Sequence, residues 1–238
     1  MMRYYSIALL GQLSIFCCLS FLNTPLVWAG GFVKSPHPNS LQILGLGSFF
    51  NKNFRGRSLG SHSNEIYLDS NYIGWQVAGR FDFSGNNNGQ EILASYGYAL
   101  EEIYFTTGIK YVDYFELSQP ELFIELMGRE DYYGFSPSIY ITRGLSDETT
   151  YGEIGMSKDY FVDDWLLNLH TNVSFGQFYT DSFEMNHFDL GIDATTLMTE
   201  DVFLSFSVNA FTPLQAIKSV TGESDTEFQL GMSILFRF

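Results

Sequence analysis

The chain is poor in cysteine, poor in positive charge and, beyond its N-terminal segment, without a long apolar run. Its two cysteines, Cys17 and Cys18, both lie near the N-terminus, so the rest of the chain carries no thiol. That excludes a disulfide framework, a thiolate metal site and a cysteine nucleophile there. It suits a protein that crosses an oxidising compartment unfolded, where stray thiols would pair. Twelve Lys and Arg stand against 27 Asp and Glu, a net charge of −15. Such a surface repels nucleic acid, whose binding needs cations on the phosphates. It also offers no basic patch for anionic lipid. The acidity does not signal disorder, because 45% of the residues are hydrophobic and 17% aromatic, too many for an unfolded chain. No later stretch reads as a spanning helix. The least charged window, Val202 to Ile217, is broken by serines, an asparagine and Pro213.

The N-terminal segment has its own grammar. Arg3 precedes an apolar run from about Tyr4 to Leu22, and the segment closes Leu26-Val27-Trp28-Ala29-Gly30. Val27 and Ala29 occupy the small-residue positions that a signal peptidase needs, which predicts a signal peptide over residues 1–29 and one domain over 30–238. Phe16, before Cys17, is too bulky for lipoprotein processing. Losing Arg3 leaves 11 basic residues against 27 acidic ones, a net charge of −16.

What fills the remainder is alternation. Trp165, Leu167, Leu169, Val173 and Phe175 share one parity, with Thr171 the polar exception, and Asn168, His170, Asn172 and Ser174 share the other. Successive side chains of a strand point to opposite faces, so this period of two predicts strands. Phe188, Leu190, Ile192 and Ala194 oppose His187, Asp189, Gly191 and Asp193 in the same way. Leu122, Ile124 and Leu126 likewise oppose Glu121 and Glu125. Strands are expected over 40–50, 61–70, 72–84, 89–99, 102–115, 119–127, 134–144, 149–160, 163–176, 184–198, 201–212 and 225–238. That makes about twelve; if the break at Ser70-Asn71 is not real, the count falls to ten. Tight breaks (99–102, 161–164, 199–201) alternate with longer polar ones (84–89, 177–184, 212–222). Short turns on one side and longer loops on the other are expected of a closed antiparallel transmembrane β-barrel. Segments 51–60 and 212–222 are expected as outer loops, and His37 and His62 as loop residues.

The apolar parity carries large aliphatics with aromatics near strand ends, as at Trp75 and Trp165, which suits a lipid face with interfacial girdles. Arg143 and Lys158 fall on that parity at strand ends, where long side chains snorkel. At the C-terminus, Phe228, Leu230, Met232, Ile234, Phe236 and Phe238 alternate up to the last residue. This run resembles the β-signal of Gram-negative outer-membrane β-barrel proteins, which end in phenylalanine. The resemblance implies Phe238 and Phe236 as recognition residues for the barrel-assembly machinery, with periplasmic chaperones and outer-membrane lipids as further partners. It implies the outer membrane as location, and it points to the superfamily and to no single family within it.

The polar parity places Asp82, Glu91, Glu121, Glu125, Glu153, Asp189, Asp193 and Glu227 inside, with Arg80, Lys110 and Arg237 on the same side. An acidic lumen favours cations if a water path exists, so a small passive channel is one expectation. A lumen plugged by pairing of these charges, in a structural or interaction barrel, is the other. No nucleophile elbow, zinc motif or metal-ligand cluster is present, and no cofactor is implied. One constellation bears on chemistry. If 174 and 187 face each other across a hairpin, Ser174, His187 and Asp189 form an acyl-transfer set on the lumen side. A lipid-modifying hydrolase would instead need those groups open to lipid, so catalysis is not the expected role. His170 reads as a lumen hydrogen-bonding group.

Overall fold

The computed structural model describes residues 41–238 except 56, 73, 85–87, 101–102, 116, 129–133, 178–181 and 223–224. The expected signal peptide and His37 lie outside the described residues. Twelve strands run in chain order: β1 Leu41–Phe54, β2 Arg57–Tyr72, β3 Trp75–Phe83, β4 Gly89–Ala99, β5 Ile103–Tyr114, β6 Leu117–Gly128, β7 Ser136–Gly144, β8 Thr150–Val162, β9 Trp165–Gly176, β10 Glu184–Thr199, β11 Val202–Pro213 and β12 Glu227–Arg237. Each pairs antiparallel with its sequence neighbour, and β1 pairs with β12 to close the barrel. Among the described residues no helix is long and apolar enough to cross a membrane.

The expected alternation decides which way each strand faces. Leu68, Val77, Ile92, Leu122, Ile154 and Leu190 stand exposed on the outer wall. A water-soluble surface does not carry so continuous an apolar band. Aromatics flank it: Tyr72, Trp75, Tyr98 and Phe161 near the end that holds Leu41 and Arg237, Phe50, Phe83, Phe183 and Phe228 near the other. These positions match the two girdles of a transmembrane barrel.

Four expectations are corrected. Segment 51–60 is not a loop, because β1 runs on to Phe54 and β2 starts at Arg57. His62 accordingly lies on β2, exposed, its ring tilted against Phe50 at 5.4 Å. The break expected at Ser70-Asn71 falls later, since both pair with β3 and the strand ends at Tyr72. Segment 212–222 holds the end of β11 and a short helix, α1, Gln215–Thr221. It buries Ala216 and Ile217, is tied down by Leu214 N–H to Asn186 O at 2.7 Å, and ends at Gly222 with φ 75°. Glycine reaches that left-handed cap without a Cβ clash.

Nor is the inner face uniformly polar. Ile43, Tyr67, Leu93, Phe123, Tyr140, Leu166, Phe203 and Leu235 point inward and pack as one buried cluster contributed from most of the wall. Small barrels fill their interiors with side chains in this way.

Candidate functional site

The lumen is where the polar chemistry collects, and it has two unlike halves. In the half built by β1 to β6, cations and carboxylates alternate across strands. Lys52 bridges Glu65 and Asp82. Arg80 Nε lies 3.4 Å from Glu65, and Lys110 Nζ lies 3.4 Å from Glu91 and 3.6 Å from Glu121. Arg55 grips Glu121 with two donors at 2.8 and 2.5 Å, and Thr142 donates to the same carboxylate at 2.8 Å. Four cations thus face four carboxylates, all nearly excluded from water. Such pairs survive burial only when neighbours satisfy them, as here.

The register explains the network. Lys110 lies directly opposite Glu121, while the like-charged Glu65 and Asp82 face each other and share Lys52 between them. Directly opposed residues of neighbouring strands hold their Cβ atoms about 5 Å apart, within reach of an ion pair. Arg80 and Lys110 were legible in the sequence as inward. Lys52, Arg55 and Glu65 were missed, the first two because their segment read as a loop. The alternation of Glu65, Tyr67 and Asp69 against Ile66 and Leu68 was the available signal for β2.

From Glu125 of β6 round to β10 the inner wall is acidic, and among the described residues β7 to β10 add no inward Lys or Arg. Glu125, Glu153, Asp189 and Asp193 are buried on the inner wall, and among the described residues no Lys or Arg stands within ion-pairing distance of them. Their partners are neutral or histidine: Tyr151 donates to Glu153, His187 Nε2 lies 2.9 Å from Asp189 and His170 Nδ1 3.4 Å from Asp193. Oxygens of both aspartates lack an aligned hydrogen bond. His170 also meets Asn209 Oδ1 at 3.0 Å, a bond that crosses over Gly191 and leaves no room there for a Cβ. Glu227 sits inward but only partly buried, and Arg237 pairs with Asp201 at the terminus end, outside the network.

Ser174, His187 and Asp189 do come together. Ser174 and His187 pair across β9 and β10, with a register shift between Met185 and His187. Ser174 Oγ lies 2.7 Å from His187 Nδ1 and accepts the His187 backbone N–H at 3.2 Å. A hydroxyl proton given to Nδ1 leaves the Nε2 proton facing Asp189. The ring presents Nδ1 to the serine, where the serine-protease arrangement presents Nε2. Ser174 is fully buried, inward and turned away from lipid. Among the described residues no cluster of His, Cys, Asp and Glu has the geometry to hold a metal ion.

Comparison with known proteins places this architecture. No protein-family model and no curated sequence matches the chain. Solved structures do. The KdgM porin superposes with a TM-score of 0.60 at 8% identity, covering 82% of this chain and 99% of its own. The fold is that of the outer-membrane β-barrel channels. The NanC porin superposes at 0.57 with 12% identity, covering 81% and 98% of the two chains. An outer-membrane channel from Pseudomonas putida F1 does so at 0.54 with 10% identity, covering 88% and 98%. The KdgM porin has also been solved in complex with disordered oligogalacturonate. At such identities the shared property is the barrel, so the lumen of this chain has to be argued from its own residues.

Proposed function

We propose that this protein is a narrow passive channel of the outer membrane whose lumen prefers cations over anions. One observation carries the preference: Glu125, Glu153, Asp189 and Asp193 outnumber the cations near them, since among the described residues none forms an ion pair with a Lys or Arg and only Lys110 and Arg55 act on Glu125 and Glu153 from a distance. Where the bore is wet, rings of carboxylates attract cations and repel anions. The other half of the lumen adds little field, because its charges cancel in pairs. The barrel shared with outer-membrane porins supports transport as the role and the outer membrane as the place. The same reading makes residues 1–29 an export signal and Phe238 and Phe236 the assembly signal.

The test is the reversal potential of the refolded barrel in a planar bilayer under a KCl gradient. A potential on the cation side is expected, and it moves toward zero in Glu125→Gln, Glu153→Gln, Asp189→Asn and Asp193→Asn. An anion-side potential, or one that the four neutral variants leave in place, would sink the proposal. The second reading, a closed structural barrel, is favoured by the apolar cluster packed inside the wall, and complete electrical silence of wild type and variants would select it.

A further inference from the structure

The hairpin that joins β1 to β2 does not stay in the wall. Its β1 arm carries a register shift between Lys52 and Asn53, and Asn51 and Arg55 take the left-handed backbone, with φ of 53° and 46°. A bulge bends a strand and re-aims the side chains beyond it, and non-glycine residues hold such φ values only where the surroundings impose them. What imposes them here is contact with distant parts of the wall. Phe54 stacks on Tyr114 of β5, ring centroids 4.0 Å apart and planes 11° from parallel. Arg55 grips Glu121 of β6 and lies over the Tyr151 ring of β8 at 4.7 Å.

In the strand order, β6 is four places from β2 and β8 is six, the far side of a twelve-stranded ring. Twelve strands spaced about 4.8 Å and tilted about 40° enclose a ring of backbone roughly 24 Å across. No arginine side chain crosses that distance from the wall, so the tip itself is turned inward. We propose that the tip of the β1–β2 hairpin is a plug, latched by Arg55 on Glu121 and by Phe54 on Tyr114, and that conduction requires its withdrawal. Within the wall Glu121 keeps Lys110 and Thr142 as partners. Releasing Arg55 therefore does not strand a buried anion, and the barrel has a way to open without unfolding.

The proposal rests on the channel reading, so two readouts are needed. The first is bilayer conductance of the full chain with Arg55→Ala and, separately, Phe54→Ala, each shown folded by a heat-modifiable gel band. The second does not depend on transport: the rate at which a charged methanethiosulfonate labels Thr106→Cys, on the inner wall of β5 and outside the latch, with Cys17 and Cys18 replaced by serine. Both variants are expected to raise the conducting fraction at least tenfold, and Arg55→Ala to raise the labelling rate at least tenfold. Faster labelling with all proteins electrically silent supports the plug and overturns the channel reading. Wild-type conductance and labelling in both variants overturn the plug. So does failure of both to fold, which would make the tip a structural support.

Discussion

Gly89→Ala probes the docked hairpin from behind. Gly89 pairs with Tyr114 across β4 and β5, and the tyrosine ring lies against the glycine on one side and Phe54 on the other. A Cβ on residue 89 would sit 2.0 Å from Tyr114 Cδ1 and 2.1 Å from Cε1. Unstrained carbon contacts begin near 3.5 Å, so the ring must move roughly 1.5 Å. It has nowhere to go without loss: Tyr114 is buried and its hydroxyl donates to Asp82 at 2.5 Å. A hydrogen bond to a charged group contributes about 1.5–3 kcal/mol, and a stacked aromatic pair about 0.5–1.5 kcal/mol beyond its buried area. Alanine's smaller unfolded-state entropy offsets about 0.4–1 kcal/mol of this. The expected net loss is about 1–4 kcal/mol. Urea unfolding in detergent micelles, followed by tryptophan fluorescence, measures it. Gly79→Ala is the control, because its Cβ takes the outward parity and its nearest contact is the movable edge of Phe81 at 3.1 Å, with the Glu91 backbone oxygen at 4.0 Å; a change within about 0.5 kcal/mol is expected there. Equal, small effects at both positions would refute the argument that Tyr114 is pinned.

Two further outcomes follow from the site and the loops. Ser174→Ala should cost about 1–2 kcal/mol, because it strips the buried His187 Nδ1 and backbone N–H of their partner. It should leave membrane lipid composition unchanged, and loss of a lipid-modifying activity present in wild type would restore the catalytic reading. In the loop between β7 and β8, burial alone would raise the Asp147 pKa. Hydrogen bonds from the Thr149 N–H at 2.9 Å and hydroxyl at 2.8 Å, together with the Gln119 amide, hold it below its usual value. A lowered folded pKa gives stability that is present above the unfolded value of 3.8 and lost as pH falls through the folded one. Amide exchange at Thr149 should thus lose protection as pH falls from neutral to well below 3.8, and Asp147→Asn should abolish that dependence.

Much of the architecture was written in the chain as a parity pattern. Lipid solvates one face of every strand and excludes polar groups from it, so twelve separate segments repeat the same local rule. Each can be read without knowing where its neighbours lie. The facing of Ser174 and His187 was legible for a related reason: a hairpin constrains its own register, and β9 and β10 are neighbours in sequence as well as in space.

The hairpin tip and the charge balance were not legible in this way. Lys52 reads as a loop lysine until the bulge beside it turns it toward Glu65 and Asp82. Arg55 meets Glu121 across 66 residues of chain, a pairing that no local period encodes. Phe123 and Leu93 alternate correctly with their neighbours, yet parity alone could not tell that inward apolar side chains pack on one another instead of lining water. Local sterics and solvent exposure set the strands, their facing and the neighbour registers. Those registers also set the ion pairs between neighbouring strands, and the curling of the wall adds the one long-range pair, Arg55 with Glu121.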